Sequence, residues 1–165
     1  MWDFRLYCPP VDLVKANRPH HSQFIENSLL DLERLSVALA KRHYDSLEDH
    51  EALIDYHHAL ELAINTFSAP RPFPNAQNML ALLFLRSPHR YIELLEENDP
   101  FAMALYARNL TMIHLVDRIW WMHGLDGEEL AAGNIRGVAS LMPKQHLWMM
   151  EWPISAIEGG TELGL

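Results

Sequence analysis

Apolar residues recur along this chain at three- and four-residue steps, the spacing that lines one face of a helix. The first such stripe is Ile25, Leu29, Leu32, Leu35 and Leu39. It predicts a helix opening at Ser22 as N-cap and running to about Arg42, with Lys41, Arg42 and His43 suited to its negative C-terminal end. "SLED", Ser46 to Asp49, has the form of a capping box. The stripe behind it is Leu53, Tyr56 or His57, Leu60, Ile64 and Phe67. "SAPRPFPN" then predicts a stiff extended connection, because each proline fixes its own φ and restricts the residue before it. "AQNMLALLFLRS" is apolar nearly all round, the pattern of a helix buried on most sides.

Pro88 suits the first turn of a further helix carrying Tyr91, Ile92, Leu94 and Leu95. Asp99-Pro100 repeats that grammar and opens the longest apolar segment, a predicted helix over 100–123 of about 36 Å at ~1.5 Å per residue, stopped by Gly124. Beyond it, "LDGEELAAGNIRG" reads as a loop around one weak helix, and "VASLMP" with "KQHLWMMEWP" closes on apolar surface that needs a cover. Strand alternation is nearly absent. The expected fold is all-α: a compact domain of about six helices packed in helical hairpins around the long helix near 100–123. Residues 1–21, broken by Pro9, Pro10 and Pro19, are expected to be irregular, 22–158 to form the domain, and 159–165 to be a flexible tail.

Composition narrows the function. One domain is the default at 165 residues, and 49% hydrophobic content suffices for a core. A net charge of -9 argues against direct nucleic-acid binding, which needs a basic face. Cys8 is the single cysteine, so neither a disulfide framework nor a multi-cysteine zinc site is expected. The opening "MWDFRLYCPP" lacks the pattern of a secretory signal, and no run reaches the roughly 18 apolar residues of a membrane span. The expected setting is intracellular and soluble, without secretion.

No segment carries a recognisable reaction. His20-His21 and His57-His58 are adjacent pairs, and neighbours on a helix point different ways. Neither HExxH, a glycine-rich phosphate loop nor a GxSxG elbow occurs. Glu96, Glu97 and Asp99 read as solvated charge and a helix cap. His114 and Asp117 can share a helical face, with His123 further on, and would be the residues of a small helical enzyme; a hydrogen-bonded structural histidine is the simpler reading. No catalytic residue, metal or cofactor is therefore expected. Arg108, Asp117, Arg118 and His123 cannot all enter hydrocarbon without partners. Trp120 and Trp121 point roughly 100° apart on a helix, so one can be core while the other lines a groove. Met122, Met142, Met149 and Met150 add adaptable apolar surface.

The stretch from "PRPFPNAQNMLALLFLRSPHRYIELLEENDP" through "FAMALYARNLTMIHLVDRIWWMHG", closed by "WMMEWP", resembles the C-terminal region of fungal zinc-cluster transcription factors of the sterol-uptake-regulator type. The residues that carry the resemblance are Pro70, Pro72 and Pro74; Asp99-Pro100; Ala102, Ala104 and Ala107; Trp120, Trp121 and Gly124; and Trp148, Trp152 and Pro153. They span roughly residues 70–153. The six-cysteine, two-zinc DNA reader of that family is not in this chain, and "LDGEEL" stands where the family usually has a tryptophan and a basic pair. The resemblance implies an all-α regulatory domain that senses a hydrophobic or sterol-like ligand, or dimerises or meets a protein partner, in control of sterol or secondary-metabolite genes. Trp120, Trp121, Met122, Trp148 and Trp152 are the candidate ligand-binding residues. The alternative is a small helical enzyme or accessory protein of a fungal biosynthetic pathway.

Overall fold

The computed structural model describes residues 18–66, 83, 85–115 and 130–158. The elements are α1 (Arg18–Lys41), α2 (Leu47–Thr66), α3 (His89–Glu96), α4 (Pro100–Leu115), α5 (Leu130–Leu141), a 3-10 helix η1 (Lys144–Met150) and α6 (Glu151–Glu158). No strand occurs among the described residues, and the all-α expectation of about six helices holds. No helix among them is long and apolar enough to cross a membrane.

α1 and α2 form a hairpin across the short link 42–46, and α2 packs in turn on α3 and α4. α4 touches α2, α3, α5, η1 and α6, so it is the central element that the apolar run predicted. Every side chain from Phe101 to Met112 except Tyr106 is buried. The expected stripes are the observed ones: Ile25, Leu32, Leu35 and Leu39 from α1 meet Leu53, Leu60 and Ile64 from α2 in one core. Both Tyr56 and His57 are buried, since His57 gives its Nε2 proton to the Leu32 carbonyl of α1 at 2.9 Å.

Helix ends follow local chemistry. Ser46 Oγ accepts the Asp49 amide at 3.2 Å, half of a capping box. The Asp49 carboxylate turns instead to Arg90 of α3, whose Nε donates to it at 2.5 Å. α3 ends in a Schellman motif. The amide of Asp99 reaches the Leu94 carbonyl at 2.9 Å and that of Asn98 the Leu95 carbonyl at 3.1 Å, with Asn98 at φ 59°. Asp99 then caps α4, its Oδ1 accepting the amides of Phe101 and Ala102 at 3.1 Å each. The same carboxylate takes two bonds from Arg42, one of them at 2.8 Å. Arg42 itself lies between the rings of Tyr44 and Phe101, 5.1 and 4.9 Å away. The end of α1 is thereby tied to the start of α4.

Three boundaries differ from expectation. α1 begins at Arg18, so Ser22 lies inside it and residues 18–21 are helical rather than irregular. Pro19 falls in its first turn, where a missing N–H forfeits no helical bond. α5 is a full 12-residue helix despite Gly133 and Gly137. Its inward side buries Ala131, Ala132, Ile135 and Val138, and that burial outweighs the propensity cost of ~1 kcal/mol per glycine. In the segment expected to be buried on most sides, Leu83, Leu85, Arg86 and Ser87 are the described residues; the two leucines are helical, and Leu85 is exposed. Phe67, Gly124 and the tail 159–165 lie outside the described residues.

The Asp49–Arg90 contact sets a pH dependence. The hydrogen bond from Arg90 holds the Asp49 carboxyl below its ordinary value of 3.8, with the Ser46 contact adding to the shift. A folded-state value below the unfolded one means the unfolded chain binds more protons on acidification. This contribution is therefore complete above about pH 4 and is lost as pH falls through the folded value. Melting temperature measured from pH 6 down to pH 2.5 should drop on the acid side, and Asp49→Asn should flatten that drop while lowering the plateau.

Candidate functional site

The last two elements of the described chain, η1 and α6, hold two faces with different tasks. Pro143 caps η1, and an unbroken α-helix from there would need an amide at Pro153 to reach the Met149 carbonyl. The chain instead stays in the tighter 3-10 form to Met150 and enters α6 at Glu151, which places Pro153 in a first turn. One face of this unit carries Trp148 and Trp152, four residues apart and half-buried against the core. Trp152 packs on Phe24 of α1 with ring centroids 5.3 Å apart. The guanidinium of Arg34, also from α1, sits 5.0 Å above the Trp148 ring and 3.8 Å from the Glu151 carboxylate. Together these contacts form a clasp between α1 and the C-terminal unit.

The other face opens as a groove of about 590 Å³ between α5, η1 and α6, lined by Ala139, Leu147, Met150, Glu151, Ile154, Ser155 and Glu158. The floor is apolar. Leu147 remains 43% exposed, whereas Met150 is 2% exposed and reaches through into the core. Two carboxylates, Glu151 and Glu158, and the Ser155 hydroxyl make up the polar part of the lining, which includes no cation. Such a volume falls in the range of small-ligand and anchor-residue sites.

Of the candidate ligand-binding residues, Trp148 and Trp152 belong to the clasp and do not line the groove. Trp120, Trp121 and Met122 lie outside the described residues. So do Asp117, Arg118 and His123, and His114 is described only as part of the α4 backbone. Sequence reasoning passed over Leu147, Ile154, Ser155 and the two glutamates, and named Met150 as adaptable apolar surface without assigning it to a site. Their signal was present: 147, 150, 151, 154, 155 and 158 fall on one helical face, in the three- and four-residue steps already used for α1. Grouping "KQHLWMMEWP" around its tryptophans directed attention to the opposite face.

Polar chemistry elsewhere is tied up in packing. Arg108, 3% exposed, donates from Nε to Asp31 Oδ2 at 2.6 Å, from Nη2 to Asp31 Oδ1 at 3.0 Å and from Nη1 to the Ala104 carbonyl at 3.0 Å. Tyr56 and Tyr91 stack at 3.9 Å with an interplanar angle of 7°. Asn109 gives its Nδ2 to the Tyr56 hydroxyl at 3.1 Å, and its buried Oδ1 has no partner among the described residues. Among the described residues, no group of three or more His, Cys, Asp or Glu side chains is placed to hold a metal ion. Compared with models of protein families, with curated proteins and with solved structures, the chain has no significant match in any of the three.

Proposed function

We propose that this chain is a regulatory recognition domain of fungal transcriptional control. It signals by binding an apolar group, without a DNA reader or a reaction of its own. The observation that carries this reading is the two-faced unit 147–158: the groove lies on one side and the clasp to α1 on the other. Met150 belongs both to the groove lining and to the core, and Glu151 both to the lining and to the Arg34 contact. A group seated on Leu147, Met150 and Ile154 therefore presses on residues whose neighbours Trp148 and Trp152 hold α1. Each half-buried indole withdraws on the order of 100 Å² from water, about 2–3 kcal/mol at ~25 cal/mol per Å². Occupancy of the groove shifts this clasp by as much as the bound group prefers one arrangement of Trp148 and Trp152 over the other.

The resemblance of residues 70–153 to the sterol-uptake-regulator type supports the biological setting, the control of sterol or secondary-metabolite genes in the nucleus. The apolar group comes from a sterol-like ligand or from the side chains of a partner, and both share the chemistry of the groove floor.

The test reads the groove itself. Nile red, a neutral apolar dye, should gain emission with the wild-type chain in a saturable way and lose that gain with Leu147→Asp. Tryptophan emission should shift in the same titration, and a sterol that binds should raise the melting temperature in step with its concentration. Equal dye binding by wild type and Leu147→Asp, with no shift in tryptophan emission, would overturn the reading.

A further inference from the structure

The groove has an electrostatic signature that an uncharged ligand leaves unanswered. Glu151 and Glu158 both line it, seven residues apart, which is about 10.5 Å along the axis of a helix at ~1.5 Å per residue. Glu151 stands in the first turn of α6, where a carboxylate suits the helix dipole. Glu158 lies on the same face of α6, one seven-residue repeat further on, and is exposed. A cation brought in from outside would pair with Glu158 and would compete with Arg34 for Glu151.

From this arrangement we infer that the groove between α5, η1 and α6 is the docking site of a protein partner's amphipathic helix, bearing Lys or Arg at two positions seven apart and an apolar stripe that runs between them and on past the one at Glu151. The inference rests on the reading of this face as the recognition surface and names its occupant. A partner helix has the same pitch as α6. Cations at its positions i and i+7 thus meet both carboxylates, while an apolar side chain between them reaches Ile154 and those beyond the cation at Glu151 reach Met150 and Leu147. This is the helix-in-groove mode of recognition. A second copy of this chain is the poorer occupant, because two chains of net charge -9 repel. A neutral sterol fills the floor and leaves both carboxylates unmatched.

The mechanism follows from the rim. When a partner cation takes Glu151, Arg34 gives up its exposed carboxylate contact of 3.8 Å and keeps its place over the Trp148 ring.

A labelled helical peptide with a Leu-rich stripe and two arginines seven residues apart tests the assignment, alongside the same peptide with both arginines replaced by glutamate. Binding is read by fluorescence anisotropy at low and high salt. The arginine peptide should bind, the glutamate peptide should not, and added salt should weaken binding. Glu158→Lys should weaken it roughly tenfold, since it removes one ion pair and adds a like-charge contact. Glu158 is exposed, and an unchanged melting temperature of that variant separates the loss from unfolding. Leu147→Asp should abolish binding while the circular dichroism of the protein stays helical. Equal binding of the two peptides, or none of either, overturns the assignment. If Nile red still binds in a Leu147-dependent way, the recognition surface stands and only its occupant is wrong. If the dye also fails, both readings fall together.

Discussion

Asp31→Ala should destabilise the domain by about 3–5 kcal/mol, the cost of leaving a buried charge without its counterion. Asp31 and Arg108 are 77 residues apart in sequence and join the outer hairpin to the central helix. With the carboxylate gone, the guanidinium keeps one partner, the Ala104 carbonyl at 3.0 Å, in a site where it is 3% exposed. At ~2–4 °C per kcal/mol for a chain of this size, the melting temperature should fall by roughly ten degrees. The pair is not needed for net stability, because each charge costs desolvation that the contact mainly offsets. Asp31→Leu combined with Arg108→Met should therefore recover most of the loss. Urea unfolding of the two single variants and the double gives the coupling directly. A single variant that costs under ~1 kcal/mol, or a double as unstable as the sum of the singles, would show that Arg108 is hydrated and not sealed in the core.

This pair also marks the limit of what the sequence reveals. The burial of Arg108 in an apolar run required some partner, but nothing local to residues 99–124 selects Asp31 on α1. The stripes of α1 and α2 and the caps at Ser46 and Asp99 were legible because each depends on residues within a turn or two of one another. Asp99 was readable as a cap, whereas its second task, holding Arg42 between two rings, depends on how α1 meets α4. α5 was misjudged for the reverse reason. Gly133 and Gly137 lowered its local propensity, and an added Cβ at either would meet nothing within 4 Å, so these glycines are not there to admit a neighbour. The helix exists because α4 covers its apolar side. Trp148 and Trp152 were read as candidate ligand-binding residues, and both pack half-buried against the core. Which surface they serve was set by Phe24 and Arg34, more than a hundred residues upstream.

Tyr91→Ala should cost about 3–5 kcal/mol, the usual range for truncating a buried aromatic ring. The ring is wholly buried and fills the space between α2 and α4, stacked on Tyr56 at 3.9 Å. Its hydroxyl donates to the Ala102 carbonyl of α4 at 2.9 Å. The short helix α3 has Tyr91 and Leu94 as its buried side chains, so removing the ring takes away much of what seats it. Tyr91→Phe separates the two contributions. It keeps the stack and loses the hydroxyl bond, and it should cost about 1 kcal/mol. Alkaline titration supplies an independent readout. Burial pushes both the Tyr56 and Tyr91 phenols above their ordinary value of 10.0, because the ionised form is excluded from the core. A raised folded value means stability is complete below pH 10 and falls as pH rises beyond it, since the unfolded chain then binds fewer protons than the folded one. The tyrosinate absorbance of these two residues should therefore appear together with loss of helical circular dichroism. In Tyr91→Phe one of the two buried phenols is absent, so the alkaline decline should be shallower even though the plateau is lower. Tyrosinate formation that runs ahead of unfolding, with Tyr91→Ala as stable as wild type, would place the pair at the surface and remove the tie between α2, α3 and α4 on which the groove-bearing end of the domain is mounted.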